Sequence, residues 1–218
     1  MTLAERLALF DRADLYVVIT EKLCAGRSGL DILEKVLAAG VRLVQLREKD
    51  MGGRELYERA LAFRQKTEAA GALLIINDRL DIALAAAADG VHLGQDDLPV
   101  AAARRLAPDL IIGASTHSLE EALAAQDAGA GYVNIGPVFA TLTKEGAVPL
   151  GPEVIEHIAP HLKIPWTTMG GIKASNIGQV VCRGARHPAV ITAVTAAPDP
   201  AAAARELRDI ISRGLRPE

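Results

Sequence analysis

Residues 34–46 read EKVLAAGVRLVQL. An Ala/Leu-rich amphipathic stretch ends at Gly40, and a short β-branched run follows at once. Glycine takes up the left-handed backbone that closes a helix, and a brief, continuously apolar run suits a strand buried on both faces. The same rhythm returns at 64–77 (RQKTEAAG, then ALLIIN), 83–95 (ALAAAADG, then VHLGQ), 121–136 (EALAAQDAGAG, then YVNIG) and 180–192 (VVCRGAR, then HPAVIT). Eight strand-like runs result: Leu15–Thr20, Arg42–Leu46, Leu73–Asn77, Gly90–Leu93, Leu110–Ala114, Tyr132–Gly136, Trp166–Gly170 and Ala189–Ala193. Seven helical segments lie between them, and an eighth follows, with Asp199 as N-cap and Pro200 at the first helical position. Ser118 and Glu121 fit a capping box. Eight βα units in 218 residues predict an α/β fold, a single-domain (β/α)8 TIM barrel over residues 1–218. The first dozen residues add an N-terminal helix that covers the barrel floor. An open doubly wound sheet is the weaker alternative, because no GxGxxG follows the first strand.

Composition narrows the function. Half the residues are hydrophobic and 23% are charged, which excludes a disordered chain. Aromatics make up only 3%, so the core is aliphatic and no base-stacking surface is expected. A net charge of −3 offers no bulk attraction for nucleic acid or an anionic membrane. Cys24 and Cys182 form no CxxC, against a zinc ribbon or a disulfide framework. With no basic leader and no apolar run near the roughly 18 residues of a membrane span, a cytoplasmic protein is expected. Oligomeric state stays open, a homo-oligomer included.

A parallel barrel carries its chemistry at the C-terminal ends of its strands. There the sequence places Gln45-Leu46-Arg47-Glu48-Lys49, Asn77-Asp78-Arg79, Gly94-Gln95-Asp96-Asp97, Ser115-Thr116-His117, Thr141-Leu142-Thr143-Lys144, Gly170-Gly171 and Ile191-Thr192. Asp78 and one of Asp96 and Asp97 follow adjacent strands. Such a pair suits Mg²⁺, which takes few carboxylates and keeps sites for water and phosphate oxygens; a helix cap and a solvated turn are the plainer readings. Strand alternation sends Gln45, Arg47 and Lys49 the same way, and the two bases suit a diphosphate. Two hydroxyls and an ammonium in the loop at 141–144 form an anion-handling set. The glycines at 170–171 and the end of strand eight occupy the usual barrel phosphate site. His92 reads as a neutral core or rim histidine, and His157, His161 and His187 as peripheral. No Ser-His-Asp order is evident around His117. Two phosphorylated small molecules, one bridged by a metal, fit this rim.

Taken together, LYVVIT (15–20), VQLREKD (44–50), LIINDRLDIALAAAADGVHLGQDDLP (74–99), IIGAS (111–115), YVNIGPVFATLTKEG (132–146), MGGI (169–172) and VITAV (190–194) resemble the thiamine-phosphate synthase family. The resemblance implies a (β/α)8 barrel that couples 4-amino-5-hydroxymethyl-2-methylpyrimidine diphosphate to 4-methyl-5-(2-hydroxyethyl)thiazole phosphate with Mg²⁺. It assigns the pyrimidine-diphosphate site to the segment Gln45, Leu46, Arg47, Glu48 and Lys49, with Asn77, Ser115 and Lys144. It assigns the metal to Asp78 and Asp97. It gives the thiazole phosphate Thr141, Leu142 and Thr143 and the cradle of Gly171, Ile191 and Thr192. Arg47, Lys49, Ser115 and Lys144 are the implied catalytic set, neutralising the departing pyrophosphate. Thr192 stands where the family often has Ser, and GARHPAV replaces a GADGVAV-like lead-in to strand eight, which His187-Pro188 is expected to reshape.

Three rivals share the fold or the ligands. A thiazole tautomerase of the same superfamily shares parts of QLREK and NDR but needs no diphosphate-bound metal. A precursor-binding protein needs no charge set for a leaving group. A phosphosugar epimerase needs an acid–base pair, which only Asp78 with Asp97 could form.

Overall fold

The computed structural model describes residues 1–141, 143, 146 and 148–215. Strands β1 (Tyr16–Ile19), β2 (Leu43–Leu46), β3 (Leu73–Asn77), β4 (Gly90–Leu93), β5 (Ile111–Thr116), β6 (Tyr132–Ile135), β7 (Trp166–Thr168) and β8 (Ala189–Val190) pair in parallel in the order β7-β6-β5-β4-β3-β2-β1-β8. A parallel bridge between Thr168 and Pro188 joins β7 to β8 and closes the barrel. The barrel is therefore the architecture, and the open sheet is excluded. Around it lie α2 (Gly29–Ala38), α3 (Gly53–Ala69), α4 (Leu80–Ala85), α5 (Val100–Leu106), α6 (Leu119–Asp127), α7 (Val154–Ile158) and α8 (Ile177–Val181). The short α9 (Thr192–Thr195) and long α10 (Pro200–Gly214) follow β8; α9 was not anticipated.

Alternation along each strand divides the core. Val17, Ile19, Val44, Leu46, Leu74, Ile76, Val91 and Ile112 pack outward against the helices. Tyr16, Val18, Leu43, Leu73, Ile75, Ile111, Tyr132 and Ala189 fill the interior. The N-terminal helix α1 (Leu3–Arg12) is present as expected. It inserts fully buried Phe10 into that interior, 4.9 Å from the Tyr132 ring and 5.0 Å from His187. Reciprocal bonds between Thr2 and Glu5 cap it, and Arg6 lies 3.6 Å from buried Asp89.

Local readings fare unevenly. Gly40, Gly71, Gly129 and Gly184 all have positive φ just after their helices, and Asp199 accepts bonds from Ala201 and Ala202 at the start of α10. Gly90 opens β4, as the expected run Gly90–Leu93 has it, and a Cβ there would collide with the Ile111 carbonyl; the left-handed turn that ends the preceding helix is made by Ala87 and not by this glycine. Half of the capping box forms. Ser118 Oγ accepts from the Glu121 N–H at 3.2 Å, but the Glu121 carboxylate bonds the N–H of His117 rather than that of Ser118. Strand β5 runs on to Thr116, so Ser115 sits within a strand. His187 is buried, not peripheral, with Nδ1 2.7 Å from the Ala13 carbonyl. With Pro188 it belongs to the floor and to barrel closure.

Candidate active site

The C-terminal ends of the strands surround a cavity of about 310 Å³. Period-two alternation places its walls: Gln45, Arg47 and Lys49 all line it from β2 and its extension. Asn77 and Asp78 follow from β3; His92, Gly94, Gln95, Asp96 and Asp97 from β4; Ser115 and His117 from β5; Asn134 and Gly136 from β6. Thr141 and Thr143 come from the loop after β6, and Met169, Gly170, Gly171, Ile191 and Thr192 from the ends of β7 and β8.

The charged side chains gather at the β2–β4 side of the cavity. Asp78 lies beside Asp97, and burial together with that like-charged neighbour raises its carboxyl above the ordinary range. Lys49 Nζ stands 3.5 Å from Asp78 Oδ2. Asp97 is held by the Gly94 N–H, which donates to Oδ2 at 2.7 Å. Asp78 has φ of 61°, a left-handed backbone unusual for a residue with a side chain. Its N–H donates to the His92 carbonyl at 2.8 Å. That turn brings its carboxylate back over the mouth. Opposite, Thr141 and Thr143 exchange a hydroxyl contact of 2.8 Å. The loop bearing them docks on the end of β7, where the Val138 and Phe139 N–H groups donate to Met169 and Gly170 carbonyls. Gly171 has φ of 61°, and a Cβ there would strike the Ala140 carbonyl. The docked loop and the diglycine thus require each other.

A family profile described as thiamine monophosphate synthase matches residues 15–194. Thiamine-phosphate synthase of Chloroflexus aurantiacus is 47% identical over 199 residues, 91% of this chain and 92% of that protein. The Moorella thermoacetica protein of the same name is 47% identical over 202 residues, 92% and 96% of the two chains. The chain belongs to the thiamine monophosphate synthase family. The solved thiamine phosphate pyrophosphorylase from Pyrococcus furiosus superposes on this family member with a TM-score of 0.89 at 39% identity, covering 95% of this chain and 100% of that one. A 3-hexulose-6-phosphate synthase, at TM-score 0.68 and 22% identity, shares the fold. Membership makes the chain an enzyme, a transferase with small-molecule substrates, rather than a non-catalytic binder.

Of the residues that the family resemblance assigns, Gln45, Arg47, Lys49, Asn77, Asp78, Asp97, Ser115, Thr141, Thr143, Gly171, Ile191 and Thr192 all reach the one cavity. Leu46 and Glu48 do not line it. The alternation that aims their neighbours inward turns Leu46 into the helix-facing core, and Glu48 Oε1 accepts the Glu21 N–H at 2.7 Å. Leu142 and Lys144 lie outside the described residues. Sequence reasoning missed Asn134 and Met169 as lining residues, and it read His92 as a neutral core or rim histidine without giving it a part in the site. One signal was available: Gln45, His92 and Asn134 are polar residues in the middle of otherwise apolar runs. His92 is indeed buried, and burial pushes its imidazole down to about 4, so it is neutral.

Proposed function

We propose that this enzyme joins 4-amino-5-hydroxymethyl-2-methylpyrimidine diphosphate to 4-methyl-5-(2-hydroxyethyl)thiazole phosphate, releasing thiamine phosphate and pyrophosphate. Family membership supports the reaction. The observation that carries the site reading is the facing of Asp78 and Asp97 with Arg47 and Lys49 in one cavity that also holds the Thr141, Thr143 and Gly171 side. An isomerase of the thiazole has no leaving group to neutralise and no use for that pairing. The free thiol of exposed Cys182 suits a reducing compartment, so the same reading places the enzyme in the cytoplasm with these two small molecules as its ligands.

Two neighbouring carboxylates that repel one another are a donor set for Mg²⁺, which binds through one or two carboxylates and substrate phosphates. Asp78 and Asp97 would hold it, and when bound it supplies positive charge to the diphosphate oxygens. Arg47 and Lys49 add fixed positive charge on the same face, with the Arg fork suited to paired oxygens. The carbon–oxygen bond to the diphosphate breaks with its electron pair leaving on oxygen, and the amino group of the pyrimidine stabilises the resulting cation. Ser115 donates a hydrogen bond to the leaving group. The lone pair of the thiazole nitrogen then forms the carbon–nitrogen bond. Its approach is governed by positioning through Thr141, Thr143, Gly171 and Thr192 rather than by base strength. That nitrogen loses no proton, so the step requires no general base.

Incubating the purified protein with both precursors, with and without Mg²⁺, and measuring pyrophosphate tests the reading; release that needs both precursors and the metal is expected. Lys49→Ala is expected to slow carbon–oxygen cleavage in a single turnover by about 10²-fold, the usual effect of one charge-stabilising group. An unchanged rate would remove Lys49 from that role.

A further inference from the structure

From the cavity lining at Gln45, His92 and Ser115 down to Tyr16 and Tyr132 beneath it, five side chains form one hydrogen-bonded chain across the barrel interior. Gln45 Nε2 lies 2.6 Å from Tyr16 Oη, and Tyr16 Oη lies 3.0 Å from Tyr132 Oη. Tyr132 Oη is 2.7 Å from His92 Nδ1, and His92 Nε2 is 2.9 Å from Ser115 Oγ. The first four residues are buried, and Ser115 lines the cavity. Strand register builds the chain. His92 pairs with Gly113 and Gly113 with Tyr132, and a Cβ at Gly113 would fall inside the Tyr132 ring. The missing side chain lets the phenol reach across β5 to the imidazole.

The direction of the chain follows from its donors. Gln45 presents its amide N–H to Tyr16, so the single Tyr16 proton goes to Tyr132, and that of Tyr132 goes to His92 Nδ1. A neutral imidazole then carries its only N–H on Nε2 and donates it to Ser115 Oγ. The serine oxygen is satisfied from below, and its own proton is left for the cavity. Resting on the function proposed above, we propose that His92 is a positioning residue for Ser115. Through Tyr132, Tyr16 and Gln45 it is fixed as a donor, so that the serine hydroxyl is held as a donor to the departing diphosphate rather than as an acceptor. A preoriented donor of this kind stabilises charge as it develops, with no reorganisation during the reaction.

Two measurements test it. In protein labelled with ¹⁵N-histidine, the His92 ring signal, assigned by its loss in His92→Gln, is expected to show the proton on Nε2; a proton on Nδ1 overturns the proposal. In the synthase assay, Ser115→Ala is expected to lower kcat by about 10²-fold, and Tyr132→Phe and His92→Leu by about 10-fold each, the scale of one lost hydrogen bond. His92→Gln, which restores a donor near Nε2, recovers much of the His92→Leu loss. In a Ser115→Ala background neither Tyr132→Phe nor His92→Leu lowers kcat further, because the residue through which they act is gone. Multiplying losses there would mark damage to the barrel at large and overturn the proposal. Should His92→Leu fail to fold, the Tyr132→Phe arm and the ring signal decide the matter. Wild-type protein that consumes neither precursor overturns the synthase reading itself, and the ring signal still decides the chain's direction.

Discussion

Asp78 combines two unfavourable features, a left-handed backbone at φ 61° and a half-buried carboxyl beside Asp97. Such combinations persist where function requires them. Asn tolerates the same backbone without the charge. Asp78→Asn is therefore expected to raise the melting temperature in chelator by a few degrees, on the order of 1 kcal/mol, while activity falls and the Mg²⁺ requirement rises. Scanning calorimetry and a metal titration check this together; a lower melting temperature would show that the Lys49 contact outweighs the carboxylate repulsion. Gly113 is constrained from the other side. A methyl group there meets the Tyr132 ring, and overpacking of this kind costs about 1–3 kcal/mol. Gly113→Ala is expected to lower the unfolding free energy by that amount, read from a denaturant titration, and to disturb the serine beyond it.

At the scale of elements, α1 closes the floor and the loop after β6 closes one wall. Phe10 is fully buried between Tyr132 and His187, in a chain with only 3% aromatic residues. Phe10→Ala is expected to cost about 3–5 kcal/mol, a loss in melting temperature on the order of 10 °C. A change under about 1 kcal/mol would mean that α1 merely rests on the barrel. Gly171→Ala presses a methyl group on the Ala140 carbonyl and shifts the loop that carries Thr141 and Thr143. Its expected signature is a raised KM for the thiazole phosphate with the pyrimidine diphosphate much less affected; equal changes in both would contradict the division of the cavity into two anion sites.

The whole barrel shares an electrostatic debt at low pH. Burial keeps His92 and His187 neutral by lowering their imidazoles, His92 to about 4. Below the unfolded value of about 6.5 the unfolded chain binds protons that the folded barrel refuses, so stability is full above that pH and declines as the pH falls toward 4. Thermal melts between pH 7 and 4 are expected to show this decline, and His92→Gln to make it shallower. Identical profiles would show that His92 takes no part.

The helix–Gly–strand rhythm of EKVLAAGVRLVQL and its repeats, the alternation of Gln45, Arg47 and Lys49, and the polar ends of the strands are local properties of the chain. They are legible in the sequence itself, because helix closure, strand burial and side-chain direction depend on near neighbours. The same alternation, applied to every residue, would also have set Leu46 and Glu48 facing away from the cavity. Tertiary structure alone decided that Ala87 rather than Gly90 makes the left-handed turn before β4, that β8 is two residues long, that His187 is a floor residue, and that Tyr16, Gln45, His92, Ser115 and Tyr132 meet. These depend on which strand lies beside which and in what register, and contacts between residues as far apart as 16 and 132 exist only once the barrel has closed.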